Sequence, residues 1–482
     1  MKLQFCGGAK TVTGSCFYVD TGKIKFIVDC GAFQGTKELD DLNYEPFPFN
    51  PAELDYVFLT HGHFDHCGRL PLLVKQGFKG RIITTQPSRD IARIVLLDAA
   101  GLQEEEYKRW SAKPKNGNGG NGGYGERGYG NHEVRPPMYT TDDVNELMTY
   151  FDVYPYGDSV DFRNGVEFRM RDAGHILGSA MFEFWLTNGD GRTRKVVFSG
   201  DLGQSGQRIV KDPDLVREAD YVIVESTYGN RTHRNKDETL LEFLSILKDT
   251  QQRGGNVLIP SFAIERAQEI IYELNLFFEN RLLADMPVYL DSPMASETVK
   301  IFRQFPNFYD EDAQRLLEKG DDPFHFAGFH ETESAEDSKR LIDKRGCIII
   351  AGSGMCTGGR ILHHLENNIG SSRTSIVFVG YQVEGTLGRK IVDGEPEVYI
   401  KGKRMEVRAQ VHTLGGFSAH ADQNDLRYWL RGFGHTPRRV FMVHGEADVA
   451  QEFADTMKEE LSDGGPSSSA YIGRFLCACR SK

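Results

Sequence analysis

The chain has 482 residues, 39% of them hydrophobic and 26% charged, the composition of a soluble globular protein too long for one ordinary core, so two domains are the default. Its formal net charge of −12 excludes a sequence-independent DNA coater, which needs a strong positive surface, but not a nucleic-acid enzyme whose positive charge is local. With no apolar run of about 18 residues to span a bilayer and no signal-peptide core at the start, the expectation is a cytoplasmic protein without a membrane partner.

Short β-rich runs predict strands over 2–6, 15–18, 25–30 and 56–60. Apolar residues at helical spacing predict a helix over 88–110, with Ser88 as its N-cap. Residues 116–131 are almost all Gly, Asn and Tyr, cannot bury a core, and read as a flexible surface insertion. Regular structure resumes over 138–151, where Thr140 or Thr141 is placed to cap a helix, and strands return over 166–173, 180–186, 195–200 and 220–225. The pattern then changes to four strand–loop–helix units: 256–260 into 265–278, 287–290 into 296–305, 347–351 into 359–367, and 375–379 into 385–392. Short apolar strands alternating with helices indicate a doubly wound, mainly parallel sheet. After about 396 come strands over 406–414 and 439–444 and a helix over 450–461. The expected organisation is one domain (1–228 and 398–482) interrupted by another (229–397).

Thr60-His61-Gly62-His63-Phe64-Asp65-His66 follows an apolar strand, so it lies on a loop at a strand's C-terminal end. Imidazole and carboxylate are ligands that zinc accepts, and His61, His63, Asp65 and His66 are too many for one tetrahedral ion but suit two adjacent ones. Further candidates stand at other strand ends: His175 in Asp172-Ala173-Gly174-His175, Asp201 in Ser199-Gly200-Asp201, and His444 in Val443-His444-Gly445-Glu446. A glycine beside each lets backbone and metal approach closely. Eight cysteines (Cys6, Cys16, Cys30, Cys67, Cys347, Cys356, Cys477 and Cys479) form no C-x-x-C and read as buried reduced thiols, with Cys477-Ala478-Cys479 a weak metal-binding signal.

These residues resemble the motifs of the metallo-β-lactamase superfamily, and specifically its β-CASP branch of RNA-processing nucleases, over nearly the whole chain except the glycine-rich insertion. Asp29 in Val28-Asp29-Cys30-Gly31 matches the first motif, His61, His63, Asp65 and His66 the second, His175 the third and Asp201 the fourth. Glu225 in Glu225-Ser226-Thr227-Tyr228-Gly229 matches motif A, His420 in Phe417-Ser418-Ala419-His420-Ala421-Asp422 motif B, and His444 motif C. The resemblance implies an αββα sandwich interrupted by a β-CASP domain. It implies two zinc ions per chain, one on His61, His63 and His175, the other on Asp65, His66 and His444, with Asp201 bridging them. Two such ions can share a hydroxide that attacks phosphorus. The resemblance makes His420 the general acid, Glu225 its orienting carboxylate and Asp29 the partner of a metal-bound histidine. In related diiron oxidoreductases a glutamate ligand stands at position 64; Phe64 cannot ligate, which favours hydrolysis over redox chemistry.

The inserted domain offers Gly352-Ser353-Gly354-Met355-Cys356-Thr357-Gly358-Gly359-Arg360 between a strand and a helix, neither a Rossmann fingerprint nor a P-loop, whose backbone N–H groups suit phosphate. The resemblance supports an RNA-backbone role for Ser353, Thr357 and Arg360; Ser418 is a further substrate-binding candidate, and Arg266, Arg389 and Lys390 at comparable junctions are candidates for local positive charge. Histidines 132, 233, 325, 330, 363, 364, 412 and 435 lie outside the motifs and read as structural or exposed, His363-His364 being their one adjacent pair. The expected activity is a zinc-dependent ribonuclease cutting single-stranded RNA and leaving a 5′-phosphate, because RNA-processing members of the branch carry histidine at motif C. A DNA nuclease of the same branch, a catalytically silent RNA-binding partner subunit and a small-molecule hydrolase are the alternatives, and a homodimer is an option.

Overall fold

The computed structural model describes residues 1–112, 135–162, 164–188, 191–462 and 474–477. The glycine-rich stretch, His132 and the Cys477-Ala478-Cys479 thiols lie outside what it describes. Two sheets stack face to face. One holds Lys2–Gly7, Cys16–Asp20, Lys25–Val28, Tyr56–Phe58, Arg81–Thr84 and Phe151–Val153 in chain order, antiparallel over the first three strands and parallel thereafter. The other runs Arg474–Cys477, Arg439–Val443, Tyr221–Glu225, Thr193–Phe198, Ala180–Thr187, Val166–Asp172, Ser159–Asp161. Alternate residues of both sheets point inward, and Phe17, Phe26, Phe58, Phe168, Phe182, Phe184 and Phe198 fill the space between them. Helices close the outer faces: Gln86–Ser111 and Thr141–Leu147 against the first sheet, Gln423–Arg431 and Ala447–Ser462 against the second.

The second sheet also buries a charge. Glu183 is fully buried, and Arg169, Arg171 and Lys195 on the flanking strands reach it at 2.8, 2.5 and 2.5 Å. Burial alone would push this carboxyl up, but the three cations outweigh it and hold it below the usual value. Removing one member of a buried, satisfied network strands the others. Glu183→Ala is therefore expected to cost about 3–5 kcal/mol in urea unfolding at pH 7. Because the folded carboxyl titrates below the unfolded one, its contribution is complete above the unfolded value and is lost as pH falls through the folded value. The deficit of the variant should shrink on acidification; a deficit that grows would contradict the assignment.

The third sheet is parallel throughout, in the order Phe329–Glu331, Val288–Asp291, Ile348–Ala351, Val257–Pro260, Ser375–Phe378, Gln410–Thr413. Its central strands are apolar on both faces. Val257, Ile259, Ile348 and Ile350 pack on helices Lys236–Gln252 and Arg266–Glu279, while Leu258, Ile349 and Ile376 face Ile361–Asn368 and Leu387–Val392.

Several expectations change in detail. Helix Gln86–Ser111 starts earlier than 88; Thr85 caps it, Pro87 occupies its first turn, and Ser88 instead donates to the carbonyl of Gly178 at 2.8 Å. Thr140 caps Thr141–Leu147 through a reciprocal bond with Asp143, and Phe151 opens a strand. The strand expected over 406–414 is two elements: Lys403–Glu406 closes a hairpin with Glu397–Ile400, and Gln410–Thr413 becomes the edge of the inserted sheet, beyond the expected boundary at 397. Helix Lys236–Gln252, not anticipated, precedes the first unit.

Candidate metal centre

The loop carrying His61 to His66 is clamped by backbone. Ser15, Cys30 and Ala32 donate N–H groups to the carbonyls of Asp65, His66 and Phe64 at 3.0, 2.8 and 3.0 Å. Gly31 has no substitute there, because a Cβ would lie 1.5 Å from the Asp65 carbonyl oxygen. From the second sheet come His175, Asp201 and His444, each just past a strand end. His444 adopts a left-handed backbone (φ 46°), with its N–H bonded to the carbonyl of Gly8 at 2.6 Å.

Hydrogen bonds fix which ring nitrogen of each histidine is free. The His66 Nδ1–H donates to Asp29 Oδ2 at 2.8 Å, and that of His175 to the Ala419 carbonyl at 3.2 Å. Thr60 gives its hydroxyl proton to Asp29 and so accepts from His61 Nδ1 at 3.0 Å. Thr227 likewise gives its proton to the His444 carbonyl and accepts from His444 Nδ1 at 3.2 Å. Each ring thereby presents a bare Nε2 inward. His63 presents Nδ1, 3.0 Å from His61 Nε2 and 3.2 Å from His175 Nε2; His66 and His444 Nε2 are 3.2 Å apart.

Lone pairs facing one another at these distances repel unless a cation lies between them. Asp201 adds its carboxylate, Oδ2 standing 3.3 Å from His66 Nε2 and 3.6 Å from both His61 and His175 Nε2, while its buried Oδ1 has no hydrogen-bond partner. Burial holds His61 and His175 well below the ordinary imidazole value and His63 down at about 4, so these rings are neutral donors. Burial also opposes charge on His66, yet Asp201 and Asp29 raise it well above the usual value, marking a place where positive charge is stabilised. The ligand atoms group as His61, His63, His175 and Asp201, and as Asp65, His66 and His444, all within 4.8 Å of one another in each group. This donor set fits zinc at both positions.

Beside it stands His420, its Nδ1 3.2 Å from Glu225 Oε1 and 3.9 Å from Asp201 Oδ2. Burial would favour the neutral ring, but Glu225, Asp201 and Asp65 overcome this and push its value up to about 9, leaving the ring protonated at neutral pH. Glu225 is held in turn by the N–H groups of Leu202 (2.7 Å) and Thr227 (3.2 Å). The side chains of His420 and Asp65 are 22% and 21% exposed whereas His61 and His175 are sealed, so the centre opens on the His420 side. Since partners of metal-bound imidazoles typically contribute 10–100-fold, Asp29→Asn is expected to weaken zinc affinity or activity by about that factor, read by competition with a chromogenic chelator. Unchanged affinity and activity would remove Asp29 from the site.

Residues 9–114 match the metallo-beta-lactamase superfamily, 267–391 the Beta-Casp domain, and 404–464 the Zn-dependent metallo-hydrolase RNA specificity domain. Ribonuclease TTHA0252 of Thermus thermophilus is 39% identical over 449 residues, covering 93% of this chain and 94% of that protein. The chain belongs to the β-CASP branch of the metallo-β-lactamase superfamily. It is accordingly a metal-dependent enzyme of that branch. Among longer β-CASP relatives, the transcription termination factor FttA of Methanocaldococcus jannaschii is 31% identical over 493 residues, which cover all of this chain and 72% of that protein. A crystal structure of a protein of unknown function from Enterococcus faecalis V583 shares the fold, with a TM-score of 0.53 at 12% identity over 98% of this chain and 97% of that one.

In the β-CASP domain the three candidate arginines each pair with an acid, which corrects the expectation of free charge for them, while Lys390 is exposed with no ion pair among the described residues. Arg266 is buried and pairs with Glu269 at 3.1 Å. Arg360 binds Asp291 at 2.7 Å, and Arg389 binds Asp393 at 2.9 Å one helical turn on. Ser353 closes its own loop, accepting from the N–H groups of Thr357 and Gly358 at 3.0 and 3.2 Å. Ser418 accepts from His420 N–H at 3.3 Å, next to the centre. The pair His363-His364 divides: His364 is buried on Asp291 at 2.5 Å, while His363 meets Lys401. His233, read as structural or exposed, bonds the His420 carbonyl at 3.0 Å and packs on Tyr228. Thr60, Thr227 and Tyr228 are further site residues, and each lies inside a motif already marked by His61 or Glu225.

Proposed function

We propose that this protein is a zinc-dependent ribonuclease that hydrolyses phosphodiester bonds of single-stranded RNA and acts in the cytoplasm. One zinc ion would be held by His61, His63 and His175, a second by Asp65, His66 and His444, with Asp201 between them. The observation that carries the reading is the convergence of five inward-facing ring nitrogens and a carboxylate beside a histidine that keeps its proton. Bound there, zinc supplies Lewis acidity toward the phosphate and acidifies water at neutral pH.

The chain's own residues do the rest. Asp29, Thr60, Thr227 and the Ala419 carbonyl keep the rings in the tautomer that binds metal. His420, steadied by Glu225, stands at the open side, where it can give its proton to the departing ribose oxygen as the P–O bond breaks. All these ligands come from one chain, so a second copy is not needed to complete the centre. RNA rather than DNA is favoured by the RNA specificity domain that spans His420 and His444, and by the ribonuclease relative. End-labelled single-stranded RNA and DNA incubated with zinc-loaded protein test this: RNA cleavage with about two zinc ions per chain is expected. Cleavage of DNA alone would overturn the substrate, and one ion or fewer would overturn the paired centre.

A further inference from the structure

We propose that Phe262 and Tyr381, linked to the catalytic centre through Arg231, form a base-stacking platform that seats unpaired RNA bases beside the metals; this rests on the ribonuclease reading above. Strands Ile348–Ala351, Val257–Pro260 and Ser375–Phe378 are neighbours in the parallel sheet. The loops after their carboxyl ends therefore emerge side by side, where sheets of this kind bind ligands. Those loops carry Gly352 to Arg360, Ser261 to Glu265, and Gly380 to Thr386.

Two large aromatic side chains are left open there, Phe262 at 43% and Tyr381 at 56% exposure. Scattered exposed rings are ordinary, and Tyr399 and Tyr428, exposed elsewhere, carry no such argument. Phe262 differs because it is braced. Its ring lies so close to Gly354 and Gly380 that a Cβ on either would meet it at 3.0 and 3.3 Å. Tyr381 is the next residue along. Its ring centre lies 5.9 Å from the Arg231 guanidinium, which is 5.7 Å from the ring of Tyr228, itself 6.1 Å from the ring of His420. Arg231 is exposed and has no ion-pair partner among the described residues, unlike Arg266, Arg360 and Arg389. A line of π faces with one unpaired cation thus runs from the top of the inserted sheet to the catalytic histidine.

Stacking suits this chain for an electrostatic reason. Its net charge is −12 and Arg266, Arg360 and Arg389 beside these loops each pair with an acid, which leaves Lys390 and Arg231 as the unpaired cations there and gives weight to contacts that do not depend on charge. Aromatic faces bind bases of any sequence, and guanidinium planes stack on them as well.

The test measures binding of a fluorescein-labelled 12-nucleotide single-stranded RNA to the zinc-loaded full chain carrying His420→Ala, where cleavage is suppressed, together with KM for cleavage in the wild-type background. Phe262→Ala and Tyr381→Ala are each expected to weaken binding about 5- to 150-fold, while Tyr381→Phe and Phe262→Tyr retain it. An abasic RNA of the same length should bind the unsubstituted platform about as weakly as the alanine variants bind intact RNA. Zinc content and urea midpoints establish that the variants are folded. Unchanged affinity in both alanine variants, equal loss in the ring-preserving variants, or equal binding of abasic RNA would each overturn the platform. Wild-type protein that hydrolyses bis(p-nitrophenyl) phosphate but neither binds nor cuts RNA would instead sink the ribonuclease reading, and the platform with it.

Discussion

Replacing His420 by alanine is expected to lower kcat for RNA cleavage by about 10²- to 10⁴-fold while zinc content stays at the wild-type level. The ring is 3.9 Å from Asp201 but belongs to the Glu225 pair, so its removal leaves the inward-facing nitrogens of His61, His63, His66, His175 and His444 in place. A general acid matters in proportion to how badly the leaving group needs a proton. A ribose alkoxide needs one; p-nitrophenolate does not. The same variant should therefore lose far less activity on bis(p-nitrophenyl) phosphate than on RNA. Equal losses on the two substrates would mean that His420 shapes the centre rather than protonating the leaving group.

Asp201→Ala should remove both metal and activity. Its carboxylate is the one group shared by three imidazoles, with Oδ2 within 3.6 Å of the Nε2 atoms of His61, His66 and His175. Without it the centre loses the negative charge that offsets the cations, and the neutral rings confront one another unscreened. Forfeiting about 4 kcal/mol of metal-derived stabilisation corresponds to a rate loss of roughly 10³-fold. Inductively coupled plasma analysis of dialysed protein should find fewer ions than in the wild type. A variant that keeps its full metal complement and more than a tenth of its activity would show that Asp201 is not the shared ligand.

Much of this centre is legible in the sequence because metal chemistry restricts residue type and the fold restricts position. Only a few side chains bind zinc, and His61, Asp201 and His444 each stand within three residues of the end of an apolar run. The side chains that the family resemblance names as ligands lie in two clusters, with Asp201 in the one that holds His61, His63 and His175. What could not be read depends on partners distant in the chain. Whether Arg360 meets RNA or protein is decided by Asp291, which lies 69 residues away and also bonds Ser338 and His364. Arg266 reads as candidate surface charge because its burial cannot be seen from its chain neighbours.

Other misses had a signal. Asn235 three residues before Glu238, followed by Leu240, Phe243, Leu244 and Leu247, is a capped amphipathic helix by pattern alone. Gln410–Thr413 is different: four residues of mixed polarity name no sheet, and only pairing with Ser375–Phe378 assigns them. Ser88 lost the cap to Thr85 because Pro87 fits a helix's first turn and has no N–H to lose there.

His444 and His420 reach the centre after a detour of some 200 residues from Asp201 and Glu225. The strand Arg439–Val443 then zips alongside Tyr221–Glu225, and the backbone of His444 ties to Gly8 near the start of the chain. Metal binding draws together pieces from before and after the inserted domain, so part of its free energy is spent on closing a long loop, with His66 and His444 378 residues apart. During synthesis the first two hundred residues hold five of the seven ligands, with His444 the last to arrive. The cluster of Asp65, His66 and His444 therefore cannot assemble until the inserted domain that separates its members has been made.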